Sequence, residues 1–203
     1  MRIVLLIGIT LICTLGVLAQ EANTLNYLEA FEQYKLEYKI DRSNEDGPIT
    51  PADTMYIQFF PADTNFICMA EVEMLDQKDT ITMPTANGKI KRYIKFAYLN
   101  FELDNQTGRL LVFRSVQLLN NPVYKDHLFL PFYDQSNGAE SYGGGRYMDL
   151  KQTDIIDGKL ELDFNKCYNP YCAYTTGYSC PIPPASNALD FKLLVGESAY
   201  GKK

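Results

Sequence analysis

KIKRYIKFAYLNFELDNQTGRLLVFRSVQLL, from Lys89 to Leu119, decides the fold. The run from Lys89 to Leu103 is dense in Tyr, Ile, Phe and Leu, the residues that suit a pleated, half-buried surface. Asn105 to Gly108 has the composition of a hairpin turn, and Leu110 to Leu119 resumes the apolar pattern. So short a turn cannot carry a parallel crossover, which needs a dozen or more residues, so the two strands are antiparallel. Working outward, similar runs occur at Met55–Phe60, Phe66–Leu75 and Thr80–Met83, the first and third closed by Pro61 and Pro84. Leu128–Phe132, Tyr147–Leu150, Lys159–Phe164 and Ala188–Val195 follow. About eight or nine short strands separated by Gly, Asn and Pro predict a mainly β, single-domain antiparallel barrel or sandwich.

A different pattern precedes the strands. MRIVLLIGITLICTLGVLA, residues 1–19, has one charge at Arg2, an apolar run and small residues at Val17 and Ala19. It reads as a signal peptide cleaved before Gln20, which predicts a secreted or periplasmic protein with no stable membrane anchor after cleavage. Residues 20–50 read as a helix and a link. Leu25, Leu28, Phe31 and Lys35 recur at helical spacing through Asn23–Ile40, and Arg42–Pro48 is polar and turn-rich. Thr50-Pro51-Ala52-Asp53 then opens one or two helical turns, with a hydroxyl cap and proline at the first helical position. The β-rich domain is 51–203.

The chain carries 19 basic and 25 acidic side chains, and loss of Arg2 with the leader makes it one charge more acidic than −6. No basic stripe exists, so nucleic acid is not an expected partner. His127 is the sole histidine, which leaves no three-His or His-Glu-His centre to build. Neither a metal nor a cofactor is expected. Beyond the leader stand Cys68, Cys167, Cys172 and Cys180, and four cysteines allow three pairings. A disulfide closing the Cys172–Cys180 loop is expected, with free buried thiols and a zinc site as rivals. Cys68 and Cys167 are candidates for a second bridge.

Chemistry concentrates in the last third. Three segments, Asp134–Asp149, Asp163–Cys180 and Asn187–Glu197, place polar residues inside apolar runs, where an unpaired buried group costs about 1–3 kcal/mol. They are expected to enclose a pocket for a small polar ligand. Arg146, with its planar fork of donors, is the candidate anchor. Tyr142, Asn165, Asn169 and Asn187 are the other candidate ligand-binding residues. The rival reading makes Arg146 internal glue, paired with Asp134, Glu140, Asp149 or Asp163. Asp134, Glu140, Asp163 and Glu197 are candidate catalytic acids for a hydrolase, since glycoside hydrolysis needs two carboxylates about 5–10 Å apart. YGGGRY (Tyr142–Tyr147) lacks the Lys-Ser/Thr of a P-loop, which argues against nucleotide binding.

FLPFYD (Phe129–Asp134), ESYGGGRYMDL (Glu140–Leu150), LDFNKCYNPYCAY (Leu162–Tyr174), CPIPP (Cys180–Pro184) with Asn187, and GES (Gly196–Ser198) form a linked set. With it the chain resembles a bacterial family catalogued as domain of unknown function 1684. A weaker likeness covers FFPAD (Phe59–Asp63) and MPTANG (Met83–Gly88). The resemblance carries over Asp134, Glu140, Tyr142, Arg146, Asp163, Asn165, Asn169, Cys172, Cys180, Asn187 and Glu197 as family positions. It implies that Cys172 and Cys180 are a family pair and that Cys68 and Cys167 are local additions. It names no activity. A small-ligand-binding protein is therefore the expectation, with a hydrolase or a structural envelope protein as alternatives.

Overall fold

The computed structural model describes residues 22–202 in full and the backbone of 3–21. The expected signal, residues 1–19, and its cleavage point lie outside the fully described residues. The chain divides after Asp41 into two compact units.

The first unit is helical, and α1 runs Ile3–Arg42. Along it Tyr27, Phe31, Tyr34 and Tyr38 form a ladder with ring centroids 5.7–6.1 Å apart. These residues lie three or four apart and so share a face. Of the expected stripe Phe31 is buried and Lys35 lies over its ring, while Leu25 is exposed and Tyr27, Tyr34 and Tyr38 carry the rest of the face. No helix among the described residues is long and apolar enough to cross a membrane.

The second unit is one antiparallel sheet curled into a half-barrel, so the barrel side of the expectation holds. Its strands are β1 (Ile67–Met74), β2 (Thr80–Pro84), β3 (Ile90–Leu103), β4 (Gln106–Ser115), β5 (His127–Phe132), β6 (Arg146–Lys151) and β7 (Lys159–Asp163). Their order is β6-β5-β4-β3-β1-β7, with β2 pairing β3 as well. The β3–β4 hairpin turns one residue earlier than the sequence predicts. Asp104 and Asn105 take the left-handed conformation (φ 48° and 60°), and Leu103 pairs directly with Gln106. Asp and Asn tolerate positive φ better than other side chains, which makes the two-residue turn affordable here.

Alternation along the strands separates two apolar faces. Leu110 and Val112 of β4, Leu128, Leu130 and Phe132 of β5, and Met148 and Leu150 of β6 build the main core. Leu111, Phe113, Phe129 and Tyr147, the residues between them, build a second cluster on the opposite face. A bulge at Lys95–Ala97 shifts the parity of β3, so Tyr93 joins the second cluster while Ala97, Leu99, Phe101 and Leu103 join the first.

Two expected strands do not form. Met55–Phe60 is overtaken by a 3-10 helix over Pro51–Tyr56, and Phe59 then makes an isolated bridge to Glu197. Ala188–Val195 is irregular: its first half makes an isolated bridge to Tyr133 and accepts the Gln135 amide at Phe191, and its last carbonyls go to a side chain. The guanidinium of Arg146 donates to the carbonyls of Leu193 (2.8 Å), Val195 (2.6 Å) and Glu197 (3.3 Å). At the end of the segment one arginine supplies the donors that a neighbouring strand would give.

Candidate functional site

Arg146 opens β6 and points to the core face, as alternation with Met148 and Leu150 requires. Gly145 holds φ +84°, and a Cβ there would lie 2.7 Å from the Phe132 carbonyl, so the glycine run is a tight entry into β6. Arg146 has no exposed surface, and its partner is Asp134 at 2.7 Å, equally buried. The other Asp134 oxygen accepts from the amides of Ser136 (2.8 Å) and Leu193 (3.1 Å). A charge buried this deeply needs such a shell, since an unmatched one costs several kcal/mol.

The remaining expected site residues fall around this network without opening to solvent as a group. Asn187 donates to the carbonyls of Leu111 and Pro131 and accepts from the amide of Leu111, clamping β4 to β5. Asn165 receives the amide of Asp63 and donates to its carbonyl, and Asp163 caps Asn165 while pairing with Lys166 at 3.1 Å. Glu197 is fully buried, accepting the Tyr174 hydroxyl at 2.7 Å and the Asn169 amide at 2.9 Å. Asn169 donates its side-chain amide to the Ser198 carbonyl. Glu140 stands apart at the surface, paired with Lys192, which holds its carboxyl below the usual range. Tyr142 donates to the Cys172 carbonyl at 3.5 Å. Arg146 thus meets Asp134 and none of Glu140, Asp149 or Asp163.

Cys172 and Cys180 are joined by a disulfide. Cys68 and Cys167 are not; they stand as separate thiols, Cys167 buried in the main core and Cys68 half-buried against it. Burial pushes both thiols up to about 11, against the pull of the Arg146 charge at Cys167 and with smaller help from nearby carboxylates. Among the described residues no three His, Cys, Asp or Glu side chains gather as metal ligands.

A concave surface lined by aromatic rings lies on the second face. A cleft of about 370 Å³ is floored by Tyr93, Phe129 and Tyr147 from three strands. Its wall is the segment that follows β7: Tyr168, Tyr171, Tyr178 and the stapled Cys180-Pro181 turn. That wall is fastened by the paired backbones of Tyr147 and Tyr168, by the Tyr147 hydroxyl donating to the Pro181 carbonyl, and by the Ala86 amide donating to the Cys180 carbonyl. The rings meet at close range: Tyr93–Phe129 centroids are 5.5 Å apart, Phe129–Tyr147 4.8 Å and Tyr171–Tyr178 5.0 Å.

Charged groups ring this floor. His127 and Asp149 stand diagonally across β5 and β6, with Nε2 to Oδ1 at 2.8 Å. An ionised carboxylate only accepts, so Nε2 carries the proton. The second Asp149 oxygen accepts the Tyr168 hydroxyl at 2.7 Å. Burial, with the Asp149 charge behind it, lifts Tyr93 to about 12 and Tyr168 well above its ordinary value. Arg42 lays its guanidinium over Tyr168 and Tyr171, 5.2 and 5.0 Å from their centroids. Lys91 completes the rim, its ammonium pulled below the usual range by burial.

Two of the three expected segments meet this cleft. Asp163–Cys180 supplies its wall, and Asp134–Asp149 supplies Tyr147 and Asp149; Asn187–Glu197 does not line it. Neither do Arg146 and the four candidate acids. A signal for this cleft does stand in the sequence: LFLPF (Leu128–Phe132) is apolar on both alternating sets, which requires cover on both faces of β5.

Fold and site define a class of protein: a curled antiparallel half-barrel with an aromatic cleft on one face, walled by a stapled loop. The chain belongs to the family described as "Protein of unknown function (DUF1684)", which it matches over residues 54–198. It is similar to the solution NMR structure of the uncharacterized protein from gene locus rrnAC0354 of Haloarcula marismortui, with a TM-score of 0.60 and 32% identity. That likeness covers 84% of this chain and 96% of the other. No curated protein matches the chain.

Proposed function

We propose that this protein binds a small ligand in the cleft between the second face of β5–β6 and the stapled loop. The observation that carries the reading is the convergence of six rings, Tyr93, Phe129, Tyr147, Tyr168, Tyr171 and Tyr178, on one concavity. A pocket lined by aromatic bodies with a few placed polar groups is the general form of a small-molecule site. The anchoring role moves from Arg146, which is spent on Asp134 and three carbonyls, to the cleft's own cations. The hydrolase alternative has less to work with, because Asp134, Glu140, Asp163 and Glu197 do not face this cleft. The same proposal places the protein outside the reducing cytoplasm, secreted or periplasmic. The Cys172–Cys180 disulfide supports that, since such bonds persist in oxidising compartments.

A thermal-shift and NMR screen of ring-bearing small molecules tests the cleft. Binders should perturb Tyr147 and Tyr178 resonances, and Tyr178→Ala should abolish the ligand-induced shift while moving the ligand-free melting temperature by only a few degrees. If no compound perturbs these tyrosines, or Tyr178→Ala binds as well as the parent, the reading is wrong.

A further inference from the structure

We propose that the cleft's ligand is an anion, a carboxylate or phosphate borne on a flat ring, and that Lys91 receives its charge. The inference rests on the cleft being the ligand site. Lys91 and Tyr93 are two residues apart on β3, before its bulge, and so share a face. Register sets Lys91 opposite Met83, a buried member of the second cluster, which keeps its stem packed at the cleft's edge. Lys91 is half-buried, and among the described residues its ammonium has neither a carboxylate nor a hydrogen-bond partner.

The other charges of the cleft are already engaged. Asp149, the one acid in the lining, has one oxygen on His127 and the other on Tyr168. Arg42 has its guanidinium over two rings. The lining therefore holds two fixed cations against one acid, in a chain whose net charge is −6. A positive concavity on an acidic protein selects anions locally. Desolvation without a partner disfavours the ammonium, and an incoming anion would reverse that penalty. The floor sets the rest of the ligand. Tyr93 and Phe129 are near-parallel at 23°, while Tyr147 stands at 76° to Phe129, so the surface offers both stacked and edge-on contacts to a planar ring.

The test compares phenyl phosphate, phenol and inorganic phosphate by NMR titration of the parent protein, Lys91→Met and Lys91→Arg. Phenyl phosphate should bind the parent at least tenfold tighter than phenol or inorganic phosphate. Lys91→Met should lose about tenfold for phenyl phosphate and nothing for phenol, and Lys91→Arg should recover most of the loss. Equal affinity for phenol and phenyl phosphate, or an unchanged Lys91→Met, overturns the anion assignment while leaving the cleft as a ligand site. Inorganic phosphate binding as tightly as phenyl phosphate overturns the ring requirement. Failure of both ring compounds to perturb Tyr147 and Tyr178 sinks this inference together with the site on which it rests.

Discussion

At the scale of single residues, the buried guanidinium of Arg146 explains more of the molecule than any surface group. It satisfies Asp134 and three tail carbonyls at once, so its loss leaves an unmatched carboxylate where water cannot reach. Arg146→Ala should therefore cost about 3–5 kcal/mol in denaturant unfolding. A double-mutant cycle with Asp134→Ala should show coupling above about 1 kcal/mol, while cycles with Glu140 and Asp163 should be additive. Coupling to either of those instead would contradict the geometry. The buried thiols set a second residue-scale expectation. Cys68 and Cys167 are lifted from 9.0 to about 11 in the folded state. An unfolded chain then releases these protons first, so their contribution to stability is fully present below pH 9.0 and is lost as pH climbs to about 11. Urea midpoints should be flat just below pH 9 and fall above it; a midpoint constant through pH 11 would speak against burial of the thiols.

At the scale of elements, one close fit and one staple invite substitution. Gly108 lies opposite Phe101 in the hairpin, and a Cβ there would sit 2.2 Å from the Phe101 ring. Gly108→Ala should destabilise by about 1–3 kcal/mol, as overpacking does. Phe101→Leu in the same chain should recover part of the loss, readable as melting temperature. The wall segment depends instead on its staple. Its prolines and irregular backbone provide no continuous ladder, and the disulfide joins cysteines eight positions apart. Replacing Cys172 and Cys180 by serine together should lower stability by about 2–3 kcal/mol, and ligand-induced shifts at Tyr178 should broaden or vanish. An unchanged melting temperature would mean that the backbone contacts at Tyr147, Tyr168 and Ala86 hold the wall alone.

For the whole molecule, one curled sheet has to bury two apolar faces. The main core takes one face, and the stapled segment covers part of the other, leaving the cleft between rings and loop. Oxidising conditions are what such a staple needs, and the proposed export supplies them. Amino-terminal sequencing of the protein recovered outside the cytoplasm should begin at Gln20. Recovery of the chain with Arg2 in place would remove that part of the proposal.

By itself the sequence determined the β class, seven of the strands and the antiparallel pairing. Each of those rests on local signals: a short run of residues suited to a pleated strand, or a turn type. Tertiary structure alone decided the fate of Ala188–Val195, whose apolar residues read as a strand until Arg146, more than 40 residues away in sequence, supplied the donors. The pairing of Arg146 was legible as a need but not as a choice, because Asp134, Glu140, Asp149 and Asp163 are equivalent until the chain is folded. His127 and Asp149 meet for the same reason: they stand on strands whose register no local pattern prints. The two-sided apolarity of β5 announced that something must cover Phe129 and Tyr147. That the cover is a stapled loop, and that a cationic cleft is left beneath it, depends on contacts between segments far apart in the chain, where burial and charge are set by neighbours that local spacing does not specify.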